Sequence, residues 1–270
     1  MDRTKRNERI GAMIKILSDT PNRIYTLNYF SDLFGAAKST ISEDVDIAQG
    51  ILERFSLGSL ETSTGANGGV KFLTSVDPDA SRRFVQEMCI RLSDPDRILP
   101  GGYLYIYDIL SNPSMVARMG RIMAQWFYRT RPDFVVTVET KGIPVALMVA
   151  QSLNVPLIFA RREARISDGS MVTINYVSGS SHSIQTMSLP KRSVKEGQRA
   201  LIIDDFMKGG GTIRGLMDMM REFSVTVVGS GVVISTSAER RLVEGVRSLM
   251  VLHHVDETTR RVEIRPSQYI

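Results

Sequence analysis

Leu201-Ile-Ile-Asp-Asp-Phe-Met-Lys-Gly-Gly-Gly-Thr212 runs an apolar strand into paired carboxylates, a glycine-rich turn and the start of a helix. Gly209, Gly210 and Gly211 let the backbone come close to an anion, and their amides, with those of the helix opening at Thr212, form a cradle for a phosphate. Asp204 and Asp205 do different work. Adjacent carboxylates repel a phosphate, but they accept hydrogen bonds from a vicinal diol such as the 2- and 3-hydroxyls of ribose. A diol site beside a phosphate site describes a ribose 5-phosphate group.

At these residues the chain resembles the type I phosphoribosyltransferases, whose fingerprint is a few hydrophobic residues, two acids and a Gly/Thr-rich loop for the 5-phosphate of phosphoribosyl diphosphate (PRPP). The resemblance implies a PRPP site made by Asp204, Asp205, Phe206, Met207, Lys208, Gly209, Gly210, Gly211 and Thr212. The plainer alternative is a strand ending in an Asp-Asp turn before an ordinary helix. A short apolar strand, two acids, three glycines and a helix seldom coincide in a generic turn.

Upstream, Asp133-Phe-Val-Val-Thr-Val reads as a buried strand, Ile143–Leu153 as a helix and Val155–Ala160 as the next strand, a parallel α/β unit. Between the first two lies Glu139-Thr-Lys-Gly-Ile-Pro, at a strand's carboxyl end, where open α/β sheets bind ligands. The resemblance implies that Thr140, Lys141 and Gly142 bind the diphosphate of PRPP, often with an unusual cis peptide in this loop. Arg161 and Arg162 follow the second strand, and guanidinium forks match phosphate oxygens. One of the two is expected to face the ligand, with Arg161 the site candidate; the alternative is a pair of surface arginines. By the same resemblance, the polar stretch from Ser167 to Pro190 matches in position the mobile loop that closes over PRPP in the enzymes, which implies Ser178, Gly179 and Ser180 as diphosphate contacts, with His182 expected in solvent. Further on, Val225–Ile234 reads as a buried strand, Ala238–Val246 as a helix and Arg261–Ile264 as a final edge strand. Tyr103, after Gly101-Gly102, is a candidate to flank the pocket, the alternative being a turn with a core tyrosine.

Composition sets outer bounds. A chain of 270 residues and 30.1 kDa, 43% hydrophobic, can bury one large core or two smaller ones. It has no window of eighteen uninterrupted apolar residues and no signal-peptide-like opening, so a cytoplasmic protein with no membrane association is expected. The single cysteine, Cys89, cannot make an internal disulfide, and without a Cys/His cluster no metal site is expected. Cys89 is expected on a buried helix face, and His253-His254 as structural. The formal charge is +5. Residues 1–73 hold nine Lys/Arg against nine Asp/Glu, leaving 25 of the 34 bases against 20 of the 29 acids in residues 74–270. The excess therefore lies in the second part, where a polyphosphate ligand would use it.

The chain changes character at the polar stretch Thr74-Ser-Val-Asp-Pro-Asp, read as the join between two domains, 1–73 and 74–270. Before it, Ile10, Met13, Ile14 and Leu17 repeat at helical spacing up to Pro21, and Leu27, Phe30, Leu33 and Phe34 make a second helix that Gly35 breaks. A third helix opens near Lys38, with Thr40 and Glu43 at capping-box spacing, and buries Ile41, Val45, Ala48 and Leu52. Two short strands about Asn67-Gly-Gly then make a hairpin. Three helices and a hairpin is the order of a winged helix-turn-helix, whose third helix enters the DNA major groove. Lys38, Ser39, Thr40 and Ser42 lead that helix, Arg3, Lys5, Arg6 and Arg9 put charge at the amino end, and Lys71 serves the wing. A dimerisation or substrate-covering module has the same element order, and Glu43-Asp44 does not favour DNA.

With both parts in view, the whole chain resembles the purine operon regulator family of Gram-positive bacteria, most specifically at Lys38–Asp44, Arg97–Tyr103, Thr140–Pro144, Ile174–Ser181, Ile184–Leu189 and Ile203–Lys208. The implied fold is α/β, an N-terminal winged helix-turn-helix followed by a type I phosphoribosyltransferase-like parallel-sheet domain. The resemblance implies a non-catalytic homodimeric transcription factor that binds double-stranded operator DNA of purine genes. It also implies PRPP as effector, with or without Mg2+, and a guanine nucleotide alarmone as competitor for the pocket. Whether PRPP releases a repressor or supports an activator stays open. The rival is an active purine phosphoribosyltransferase with an accessory module, against which stands the lack of any aromatic or acidic residue placed by motif to hold a base. An RNA-binding attenuator is a third class, disfavoured by the helix-turn-helix.

Overall fold

The computed structural model of the chain describes residues 4–63, 65, 68–74, 76–163, 169–177, 183–237 and 241–270. They form two compact units. One takes in the chain up to Asp77 together with Gln151–Asn154, the other Pro78–Ala150 and Val155–Ile270.

The first unit contains α1 (Arg6–Asp19), α2 (Leu27–Phe34), α3 (Lys38–Arg54) and the antiparallel hairpin β1 (Ser59–Ser63) and β2 (Gly69–Leu73). The apolar stripes of the three helices meet on Met13, Leu17, Phe30, Ile41, Val45 and Leu52, with Val70 and Phe72 of β2 closing the core. Thr26 caps α2 by accepting the Tyr29 amide at 3.2 Å, and Gly35 ends it at φ 62°, a left-handed conformation that glycine adopts without a Cβ penalty. Tyr25 pairs with Val70 through two backbone bonds of 2.9 and 2.8 Å, adding a rung beside the hairpin. The capping box expected at Thr40 and Glu43 is not formed. The N-cap of α3 is Ala37, without a side-chain bond, Thr40 lies inside the first turn, and the Glu43 carboxylate is taken by Arg6 at 2.9 Å.

The second unit contains, in order, α4 (Pro78–Leu92), β3 (Ile98–Leu99), β4 (Tyr103–Leu104), α5 (Tyr107–Leu110), α6 (Pro113–Phe127), β5 (Phe134–Val138), α7 (Ile143–Leu153), β6 (Leu157–Ala160), β7 (Met171–Val177), β8 (Ile184–Pro190), β9 (Arg199–Met207), α8 (Gly211–Glu222), β10 (Thr226–Thr236), β11 (Arg247–Asp256) and β12 (Arg261–Pro266). Six strands make one sheet in the order β12-β11-β10-β9-β5-β6, parallel except for the antiparallel edge strand β12. β5 is buried at every position, as a central parallel strand covered on both faces must be. Gly229 and Gly231 of β10 leave room for the rings and thioether of Phe127 and Met123 from α6, so that helix lies close on the sheet. β7 and β8 form a separate antiparallel arm, and Tyr176 and Met187 of that arm rest on Gly215 of α8.

Two expectations are corrected here. β11, ten residues long, lies where no strand was anticipated. The helix expected over Ala238–Val246 is absent from its described part, 241–246, while 238–240 lie outside the described residues. Its amphipathic spacing serves another purpose: the Leu242 amide donates to Gly209 O at 3.0 Å, and Val243 fills the space that a Cβ on Gly210 would need.

Cys89 is buried on α4, and burial pushes its thiol up to about 12. Thiolate is the reactive form. The native protein is therefore expected to show no thiol titratable by a disulfide reagent at pH 8, and one after denaturation; a fast native reaction would contradict the burial.

Candidate functional site

At the carboxyl ends of β5 and β9 lies a cleft of about 600 Å³. Its floor is Asp204 to Met207, one wall is Lys208 to Ile213, the opposite wall is Glu139 to Lys141 with Arg162, and its mouth is Gly101 to Leu104 with Ile106 and Leu252. Adjacent strands of a parallel sheet present their carboxyl ends together, which is why the loops after β5 and β9, far apart in sequence, face each other here.

The glycine loop is fixed from behind. Lys208 O accepts the Thr236 hydroxyl at 2.7 Å, and Gly210, at φ 86°, caps α8 with no side-chain bond. The first residues of α8, Gly211 to Ile213, line the cleft with no capping side chain on their amides, as an anion site at a helix start requires. The opposite loop starts with a cis peptide between Glu139 and Thr140. Glu139 is held at both ends, its amide by Ala160 O at 3.0 Å and its carboxylate by the Arg162 amide at 2.9 Å. Gly142 does not line the cleft. It lies beneath the loop, where an added Cβ would strike Asp204 Oδ1 and Thr137 Oγ1, so only glycine lets the loop close on the acids.

Asp204 is 6% exposed and accepts the Asp205 amide at 2.9 Å. Burial, followed by the neighbouring Asp205 charge, pushes its carboxyl well above the ordinary range, and the Asp205 amide and then the Arg162 charge oppose this. Asp205 is half-buried and faces the cleft. The pair therefore presents acceptors for hydroxyl groups beside amides and cations suited to phosphates.

Arg162, not Arg161, is the arginine of this cleft. Arg161 instead joins the arm through two backbone bonds with Ser188, of 2.9 and 2.7 Å, and its guanidinium stands 5.5 Å from the Phe159 ring. Alternation along an extended chain sends neighbours to opposite sides, and register alone chooses between them. Ser178, Gly179, Ser180 and His182 lie outside the described residues, as does Arg3. Tyr103 is at the mouth, on a hairpin tied down by Asp108. That carboxylate takes Arg97 at 2.8 and 2.9 Å and Arg91 at 2.6 Å, and the Arg97 hydrogen bond above all holds it well below the usual carboxylate range. Together with Phe206, Tyr103 gives the cleft aromatic lining, both residues being site candidates from the sequence.

In the first unit, Lys38, Ser39 and Ser42 are exposed at the opening of α3, and Thr40 is half-buried. Lys5 and Arg6 are exposed as well, although Arg6 is engaged with Glu43. Two expected DNA contacts are corrected. Arg9 is buried, its guanidinium donating to Asp44 at 2.6 and 3.2 Å and to Thr4 O at 2.8 Å, so it ties α1 to α3. Lys71 is mostly buried and pairs across the hairpin with Glu61 at 3.1 Å. Asp44, read from sequence as unhelpful to DNA binding, is the fully buried partner of Arg9.

Residues 5–74 match the family described as bacterial purine repressor, N-terminal, and residues 106–256 match the phosphoribosyl transferase domain. The chain is 42% identical over 267 residues to the purine biosynthesis transcriptional repressor PurR of Bacillus subtilis (strain 168), covering 98% of this chain and 94% of that one. It is 37% identical over 262 residues to the purine biosynthesis transcriptional activator PurR of Lactococcus lactis subsp. lactis (strain IL1403), covering 97% of each. Adenine phosphoribosyltransferase from Thermoanaerobacter pseudethanolicus has the same fold at 16% identity, with a TM-score of 0.51 over 61% of this chain and 98% of that one. With this identity running through both units, the chain belongs to the PurR family of purine biosynthesis transcriptional regulators.

Proposed function

We propose that the cleft receives PRPP as a signal, without turnover, and that the winged helix of residues 1–73 binds duplex operator DNA of purine genes in the cytoplasm. The observation that carries this reading is the buried Asp204 beside Asp205, directly followed by a glycine loop at a helix start, in a chain of a regulator family. The acids accept the ribose hydroxyls, the amides of Gly209 to Thr212 take the 5-phosphate, and Thr140, Lys141 and Arg162 take the diphosphate. Among the described residues no group of three or more His, Cys, Asp or Glu converges, so a Mg2+ would ride in on the diphosphate rather than in a protein cage. A guanine nucleotide alarmone competes for the same cleft, its base meeting Tyr103 and Phe206.

Lys38, Ser39, Thr40 and Ser42 engage the major groove, with Lys5 and Arg6 on the phosphates. A homodimer brings two such helices to paired elements. PRPP acts by linkage, favouring one conformation of the dimer with a coupling of roughly 1–3 kcal/mol. Its sign is not fixed by the family, which includes proteins named repressor and activator.

A mobility-shift titration on DNA upstream of purine genes, with and without PRPP, is expected to show a reciprocal shift of about 5–150-fold in affinity. In parallel, PRPP with purine bases is expected to release no diphosphate. Steady diphosphate release would instead establish the enzyme.

A further inference from the structure

Thr137 sits near the carboxyl end of β5, fully buried, and its hydroxyl is the buried side-chain oxygen without a hydrogen-bond partner among the described residues. A hydroxyl left in this state costs free energy that a methyl group in its place would not. Its position is specific. An added Cβ on Gly142 would meet Thr137 Oγ1 and Asp204 Oδ1 together, so the two oxygens flank the same small gap under the Thr140–Gly142 loop. Asp204 Oδ1 already accepts one backbone amide, from Asp205, and a carboxylate oxygen has room for a second donor.

We propose that Thr137 is a positioning residue for Asp204, its hydroxyl becoming the donor that holds the Asp204 carboxylate once a sugar diol engages the Asp204–Asp205 pair. The inference rests on the reading of the cleft as a PRPP site. In the free protein, the buried pair favours keeping a proton, because burial and then the Asp205 charge disfavour the Asp204 anion more than the Asp205 amide and the Arg162 charge favour it. Glu139, Lys141 and Lys208 also line the cleft around the pair. A diol arrives with two O–H donors and needs acceptors. The proton on the pair is then in the way: its O–H bond breaks, the proton passes to solvent, and the electron pair stays on the carboxylate. An anion buried beneath the loop needs a donor from the protein side, and Thr137 is the hydroxyl at hand.

The test is Thr137→Val, nearly the same shape without the hydroxyl, with Thr137→Ser as the conservative control. PRPP binding is measured by calorimetry between pH 5.5 and 8.5 in buffers of different ionisation enthalpy, which counts protons released. The wild type is expected to bind PRPP more tightly as pH rises, with proton release. Thr137→Val is expected to lose about tenfold in affinity at the upper end of the range, with the difference closing toward the lower end, and Thr137→Ser to recover most of it. If Thr137→Val melts higher than the wild type and binds PRPP with unchanged affinity, pH profile and proton count, the hydroxyl is a structural blemish and the proposal is overturned. Absence of PRPP binding by the folded wild type would remove the underlying reading as well, and the two failures are therefore distinct.

Discussion

Alanine at both Asp204 and Asp205 is expected to abolish the response of DNA binding to PRPP while leaving DNA binding itself within a few-fold of the wild type. Each carboxylate would contribute charge-assisted hydrogen bonds to the ribose hydroxyls, worth about 1.5–3 kcal/mol apiece, and neighbours of this kind are not additive. A loss of at least ~100-fold in PRPP affinity follows, measured by calorimetry. The protein should survive the change. Asp204 has its folded pKa raised, so between the ordinary carboxylate value, about 3.9, and the raised one the native state holds more protons than the unfolded chain. Stability from this group is therefore present at low pH and falls as pH rises through that window. At neutral pH the buried acid is a liability, and the single variant Asp204→Asn is expected to melt a few degrees above the ligand-free wild type, with a flatter dependence on pH between 5 and 8. Should the double alanine variant lose operator binding with no PRPP present, the assignment of these acids to a sensor would be wrong.

Arg9→Ala should have the largest effect on the first unit, and through stability rather than through DNA. The substitution leaves Asp44, with no exposed side-chain surface, with Arg6 at 3.5 Å as its remaining ion pair among the described residues. Removing one partner of a buried ion pair costs roughly 3–5 kcal/mol because the remaining charge is stranded. That is comparable with the whole stability of a unit of this size, at roughly 0.05–0.15 kcal/mol per residue. Chemical denaturation followed by circular dichroism is expected to show an early transition in Arg9→Ala that the wild type lacks. Arg9→Met with Asp44→Leu should recover most of the loss, since an apolar pair of similar volume avoids desolvation, whereas Arg6→Ala should cost less than about 1 kcal/mol. A direct phosphate contact would behave differently. It would leave the melt unchanged and lower the slope of affinity against salt by about one ion.

Much of the architecture is legible in local pattern because its causes are local. The helices of the first unit follow from apolar residues at 3.6 spacing, and the short turn of α2 from Gly35. The Asp204–Thr212 stretch announces its chemistry because glycines and acids have few other reasons to sit together at the end of an apolar strand. β11 was not legible: its Leu249-Met-Val-Leu core is followed by two histidines, and an apolar run of that length fits strand or buried helix equally. The segment before it mimics a helix, but its Val243 side chain and Leu242 amide back the glycine loop instead.

What the sequence alone determined is the three helices and hairpin of the first unit, the β5-α7-β6 unit, the two-part organisation and the type of ligand group the β9 motif suits, since each rests on residues within a turn or strand of one another. Tertiary structure alone decided which charges are available. Arg9 is spent on Asp44 across 35 residues, Lys71 on Glu61 across a hairpin, and Arg162 rather than Arg161 turns to the acids. It also set Thr137 and Asp204 about the same gap under the Thr140–Gly142 loop. The physical reason is the same in each case: a side chain's chemistry is intrinsic, but its partner is chosen by strand register and helix packing, which join residues far apart in the chain.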